Sequence, residues 1–218
     1  MPLCRFDLEL LENHKPALLV GVDEAGRGPL AGPVTACAAW VPVSAHPLIS
    51  SLVNDSKKLS PLKRQRAFKL MLESGVRFGF GFASAAEIDR VNILEATFNA
   101  MGAAVRRLLS STGAAPAGAL LLVDGPYPVK RVEGCAQQPV IDGDAKSISI
   151  AAASIFAKVL RDRWLDVLER RHPGYGLAGH KGYGTAAHLE ALNRLGPCPE
   201  HRLSFAPVRK AAAQGAGR

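Results

Sequence analysis

The chain has 218 residues, 48% of them hydrophobic, enough for one well-packed domain. Its 27 Lys and Arg against 19 Asp and Glu leave a net charge of +8, which suits a polyanionic substrate, although a solvated basic face gives the same count. No apolar run reaches membrane-spanning length, Phe6-Asp7-Leu8-Glu9 is unlike a signal peptide, and Cys4, Cys37, Cys135 and Cys198 lack Cys-x-x-Cys spacing, which together point away from a membrane span and a zinc site and towards free thiols in a reducing cytoplasm.

In chain order, the apolar run from Ala17 is predicted to be a strand that delivers Asp23 and Glu24 to its end, directly before Gly26-Arg27-Gly28. Successive strand residues face opposite sides, so the two carboxylates serve one centre only if the strand bends there, and the glycines permit that bend. Paired carboxylates repel unless a proton or a hard divalent cation lies between them. By themselves these residues fit either a magnesium or manganese site or an acidic turn with a solvated Arg27. Val34 to Val43 is predicted as the second strand.

Ser60-Pro61 opens a helix running to about Ser74, and Val76, Phe78, Phe80 and Phe82 alternate as a strand with one apolar face. Ser84-x-x-Glu87 and Asn92-x-x-Glu95 mark two helix starts, the second followed by Leu94, Phe98, Met101, Val105 and Leu108 at helical spacing. Ala119 to Asp124 reads as a buried strand ending, like the first, in a carboxylate followed by glycine. Asp142-Gly143-Asp144 precedes a long helix from about Ser149 through Arg171, whose small residues Ala151 to Ser154 let another element approach closely and whose Arg161 and Arg163 read as a solvated face. Thr185 opens a final helix closing near Gly196. The six histidines are scattered, without ligand spacing, and residues 209–218 are expected to be a disordered tail. Alternating elements with carboxylates at strand ends predict an α/β sheet with its site along one edge of the strand termini.

Ordered motifs from about residue 17 to 208 carry a resemblance. They are Val22 to Pro33, Asp55-Ser56-Lys57-Lys58-Leu59-Ser60, Asn92-Ile93-Leu94, Val123-Asp124-Gly125, Gly143-Asp144, Ala152-Ala153-Ser154-Ile155 with Ala157-Lys158, His180-Lys181-Gly182-Tyr183, and His201-Arg202 with Ser204-Phe205. In these the chain resembles the bacterial type 2 ribonuclease H family, ribonuclease HII. The resemblance implies a ribonuclease H-like mixed sheet flanked by helices, one catalytic domain over residues 1–208, and a small helical C-terminal part over roughly 172–208. It also implies Asp23, Glu24, Asp124 and Asp144 as catalytic residues and ligands of Mg2+ or Mn2+, with Asp142 a solvated turn carboxylate.

The implied activity is endonucleolytic hydrolysis of the RNA strand of RNA–DNA hybrids, and nicking of duplex DNA 5′ to a single embedded ribonucleotide, leaving 5′-phosphate and 3′-hydroxyl ends. Absent Cβ atoms suit the Gly26-Arg27-Gly28 backbone to approach a ribose 2′-hydroxyl, and the resemblance implies that this loop reads the ribonucleotide together with Tyr183, which would stack on the deoxyribose that follows, against a plain groove-lining aromatic. Asn54, Ser56, Lys57 and Lys58 read as phosphate contacts, against a solvated loop, with Lys146 and Lys181 as weaker candidates. The expected partners are nucleic acid duplexes and no membrane, and the enzyme is expected to be a cytoplasmic monomer; the tail carries no convincing sliding-clamp motif. Two alternatives remain. A ribonuclease HIII-like nuclease would carry an extra N-terminal domain, lack Arg27 and have Glu at 144; a non-catalytic nucleic-acid-binding module would not need four intact carboxylates.

Overall fold

The computed structural model describes residues 2–53 and 59–215. Five strands form a mixed sheet: β1 (Leu18–Ala25), β2 (Val34–Trp40), β3 (Arg77–Ala83), β4 (Ala119–Asp124) and β5 (Ala136–Val140), in the order β3-β2-β1-β4-β5. The first three are antiparallel neighbours, whereas β4 runs parallel to both β1 and β5. Parallel register matters for function. Val22 pairs with Val123, so the next residues on the two strands, Asp23 and Asp124, leave the sheet side by side at the same edge.

Helices cover both faces, as a sheet apolar on both sides requires. On one face lie α1 (Pro2–His14), α2 (His46–Val53), α3 (Pro61–Glu73) and the long α6 (Ile148–Arg171), whose Phe156 stacks on Phe78 with ring centroids 4.4 Å apart. The other face is covered by α5 (Ile93–Thr112), with α4 (Ala85–Val91) leading into it. Local caps operate as the sequence indicates: the Ser60, Ser84 and Asn92 side chains accept hydrogen bonds from first-turn amides of α3, α4 and α5, and Ser147 does so for α6.

Strand β3 departs from the expectation of one apolar face. Phe78 and Phe80 do pack on the α6 side, half-buried, but Phe82 is 41% exposed beside Trp164, and the alternate positions Gly79, Gly81 and Ala83 are buried on the α5 side. A Cβ at Gly79 or Gly81 would lie 2.0 Å from the carbonyl oxygens of Ala104 or Ala100, so the glycines are there to let α5 rest on the strand backbone. The second predicted strand ends at Trp40 rather than Val43.

Beyond α6 come the short α7 (Leu177–His180), α8 (Ala186–Leu195) and α9 (Ala206–Gly215). The last corrects the expectation of a disordered tail over 209–218 for the residues described: Val208 and Ala211 are buried against Leu30 and Leu192, and this tertiary packing supplies what a short Ala-rich helix lacks alone.

Candidate active site

The carboxylates gather where β1 and β4 end. Asp23 is 6% exposed, and its Oδ1 accepts the Glu24 amide at 2.7 Å. Asp124 Oδ1 accepts the Gly143 amide at 2.7 Å, which ties the end of β4 to the 3₁₀ turn Gly143–Ala145 carrying the buried Asp144. Asp142, by contrast, is exposed and sits outside that turn with φ 53°, a left-handed geometry that Asp tolerates.

Electrostatics bind three of these groups together. Burial, followed by the charges of Glu24 and Asp124, pushes the Asp23 carboxyl well above the usual range, opposed by hydrogen bonding from Ser154. Glu24 is also raised by burial, and there Arg27, 3.3 Å from Oε1, offsets part of the effect while Asp124 adds to it. An oxygen-only donor set under mutual repulsion suits a hard divalent cation. Among the described residues, no group of three or more His, Cys, Asp or Glu side chains is close enough together to hold a metal ion by itself.

Glu24 borders a groove on each side. One, of about 290 Å³, is lined by Gly26, Arg64, Ser154, Lys158, Arg161 and Tyr183; the other runs past Arg27, Leu94, Met101, Asp124 and Tyr127. The Tyr183 ring is 48% exposed and faces Gly28, where a Cβ would stand 3.7 Å from it. Gly26 has φ +94°, and a Cβ there would lie 1.9 Å from Arg161 Nε, so glycine is required by both conformation and space.

Not every expected residue joins this edge. Lys181 is paired with Asp166 at 2.6 Å and lines a neighbouring depression, and Lys146 donates to the Ile141 carbonyl at 2.7 Å beside the Asp144 turn. Asn54, Ser56, Lys57 and Lys58 lie outside the described residues. Arg64 and Lys158, both near Asp162, supply cationic groups that the sequence reading did not single out for the site.

Arg161 does not lie on a solvated face as expected: it is 1% exposed and donates to the carbonyls of Ala31, Pro33 and Lys181, while Arg163 is exposed, with its guanidinium over the Phe68 ring. A second guanidinium, Arg202, is 0% exposed under the Gly26 loop. Burial lowers the two to about 10 and about 9 respectively. The scattered histidines also converge. His188 Nδ1 donates to the Tyr183 carbonyl at 2.9 Å, so its Nε2 accepts from His201 Nε2 at 3.0 Å, and His201 Nδ1 accepts the Cys198 amide. That pattern holds both rings neutral and anchors the Tyr183 turn.

The family model described as Ribonuclease HII matches residues 20–208. A ribonuclease HII of Rhodospirillum rubrum is 52% identical over 212 residues, covering 94% of this chain and 92% of that protein. Among solved structures, ribonuclease H2 from Pyrococcus horikoshii superposes with a TM-score of 0.73 at 25% identity, covering 92% of this chain and 99% of that one. The Mn2+ complex of Bst ribonuclease HIII shares the fold, with a TM-score of 0.76 at 21% identity and coverage of 92% and 71%.

Proposed function

Because the chain belongs to the ribonuclease HII family, divalent-metal-dependent endonucleases that hydrolyse RNA in RNA–DNA hybrids, we propose that it also nicks duplex DNA 5′ to a single embedded ribonucleotide, leaving 5′-phosphate and 3′-hydroxyl ends. One observation supports the site assignment: Asp23, Glu24 and Asp124 meet at the ends of two parallel strands, in mutual repulsion, with Glu24 bordering both grooves.

Asp23, Glu24, Asp124 and Asp144 would hold the divalent ion through their carboxylate oxygens. Magnesium or manganese bound there supplies Lewis-acid polarisation of the phosphate and a water nucleophile at neutral pH. Arg64 and Lys158 face the phosphates that lie in the larger groove, and the Gly26-Arg27-Gly28 backbone reads the ribose 2′-oxygen. Tyr183, exposed opposite Gly28, packs on the deoxyribose beyond the scissile bond. Four free thiols fit a reducing cytoplasm, and the enzyme acts as a monomer with the groove open to duplex.

A DNA duplex with one ribonucleotide tests this reading. With magnesium, a single nick on the 5′ side of the ribonucleotide is expected, abolished by chelator. A nick on the 3′ side, or cleavage unaffected by chelator, would overturn it.

A further inference from the structure

Arg202 belongs to the His201-Arg202 motif, yet its side chain is fully buried and out of reach of substrate. Its guanidinium is spent on backbone carbonyls of one loop: Nη2 donates to Gly26 at 2.6 Å and to Gly32 at 2.9 Å, Nη1 to Arg27 at 2.8 Å, and Nε to Gly32 at 3.0 Å. The nearby Asp89 accepts instead from the Leu203 and Ser204 amides and the Ser204 hydroxyl. Burying a guanidinium on neutral carbonyls is costly, yet an apolar side chain there would leave the Gly26, Arg27 and Gly32 carbonyls without this donor.

Peptide geometry shows what the charge accomplishes. In a planar trans peptide the carbonyl and the following amide point in opposite directions. Drawing the Gly26 and Arg27 carbonyls inward to Arg202 therefore turns the Arg27 and Gly28 amides outward, at the two residues of this loop segment that are exposed and, at Gly28, opposite Tyr183. A cation on the carbonyl side also polarises each peptide and strengthens its amide as a donor. Successive outward amides form a concavity for an electron-rich oxygen.

We propose that Arg202 is a positioning residue for ribonucleotide discrimination, fixing and polarising the Arg27 and Gly28 amides as donors to the ribose 2′-oxygen. The proposal rests on the reading above that this loop contacts the sugar. Lys cannot replace it, because an ammonium lacks the planar fork that spans three carbonyls.

The test measures Kd by fluorescence anisotropy, with calcium in place of magnesium, for two duplexes that differ only in a ribonucleotide or a deoxyribonucleotide at one position. Wild type is expected to favour the ribonucleotide by about fivefold or more. Arg202→Lys should bind both duplexes with the deoxyribonucleotide affinity of wild type, so the ratio collapses to one. A variant that keeps the wild-type ratio, or weakens both duplexes equally, overturns the positioning role alone; a wild type without preference overturns the sugar reading and this proposal with it. A second measurement needs no substitution at 202. In 15N-labelled Asp124→Asn protein, the Arg27 and Gly28 amide resonances should shift with the ribonucleotide duplex and much less with its deoxyribonucleotide counterpart, and equal shifts would overturn the proposal.

Discussion

Replacing Asp124 with Asn separates charge from structure at the centre of the site. The Asn side chain keeps a carbonyl oxygen, so the 2.7 Å hydrogen bond from the Gly143 amide survives and the turn carrying Asp144 stays in place. Removing the charge relieves the repulsion that raises both Asp23 and Glu24. Without metal the variant should therefore be more stable than wild type, by on the order of 1 kcal/mol, or about 2–4 °C in Tm for a chain of this size. With magnesium or manganese the order reverses. At a hundredfold excess over Kd, wild type gains about 2.7 kcal/mol, or roughly 5–10 °C, while the variant gains little. Cleavage of an RNA–DNA hybrid should fall by about 10²–10³-fold or more, the scale for losing one preorganised electrostatic group. Thermal shift with metal and with chelator, read beside hybrid cleavage, measures all three effects. Wild-type turnover, or an unaltered metal-dependent Tm, would refute Asp124 as a ligand.

Asp144→Ala should abolish most activity, whereas Asp142→Gly, which preserves the left-handed backbone at an exposed position, should retain it; cleavage rates in the reverse order would move the fourth ligand to Asp142. Tyr183→Ala should lose about 5- to 150-fold in kcat/KM on a single embedded ribonucleotide, the equivalent of 1–3 kcal/mol of stacking, and much less on a long hybrid; equal losses would reduce Tyr183 to groove lining. His201, held to about 4 by burial and by His188, stays neutral in the folded protein while the unfolded chain takes its proton near 6.5. Wild type thus loses stability through this residue as pH falls from 6.5 to 4, by about 3 kcal/mol at most, so the stability gap between wild type and His201→Gln should be widest at pH 7.5 and narrow towards pH 4 in denaturant titrations. A gap independent of pH would show that the histidine pair does not titrate this way.

Short-range chemistry was legible in the sequence. Caps at Ser60, Ser84 and Asn92 act within three residues, and an apolar run ending in Asp23-Glu24 or Asp124 declares a strand with carboxylates at its tip. Helix periodicity placed α5, and the small residues of α6 announced close packing. What the sequence left undecided depends on partners distant along the chain. Arg161 looks like a surface residue until its acceptors, the Ala31 and Pro33 carbonyls, arrive from 130 and 128 positions away. His188 and His201 acquire fixed tautomers only when α8 and the segment after it fold onto the Tyr183 turn. The Phe78 to Phe82 alternation shows one apolar face because glycine, the residue that lets α5 approach, carries no hydrophobic signal of its own. Periodicity and capping are local properties of a chain, whereas the burial of a charge and the direction of a peptide plane are set by whatever packs against them, and tertiary structure alone decides that.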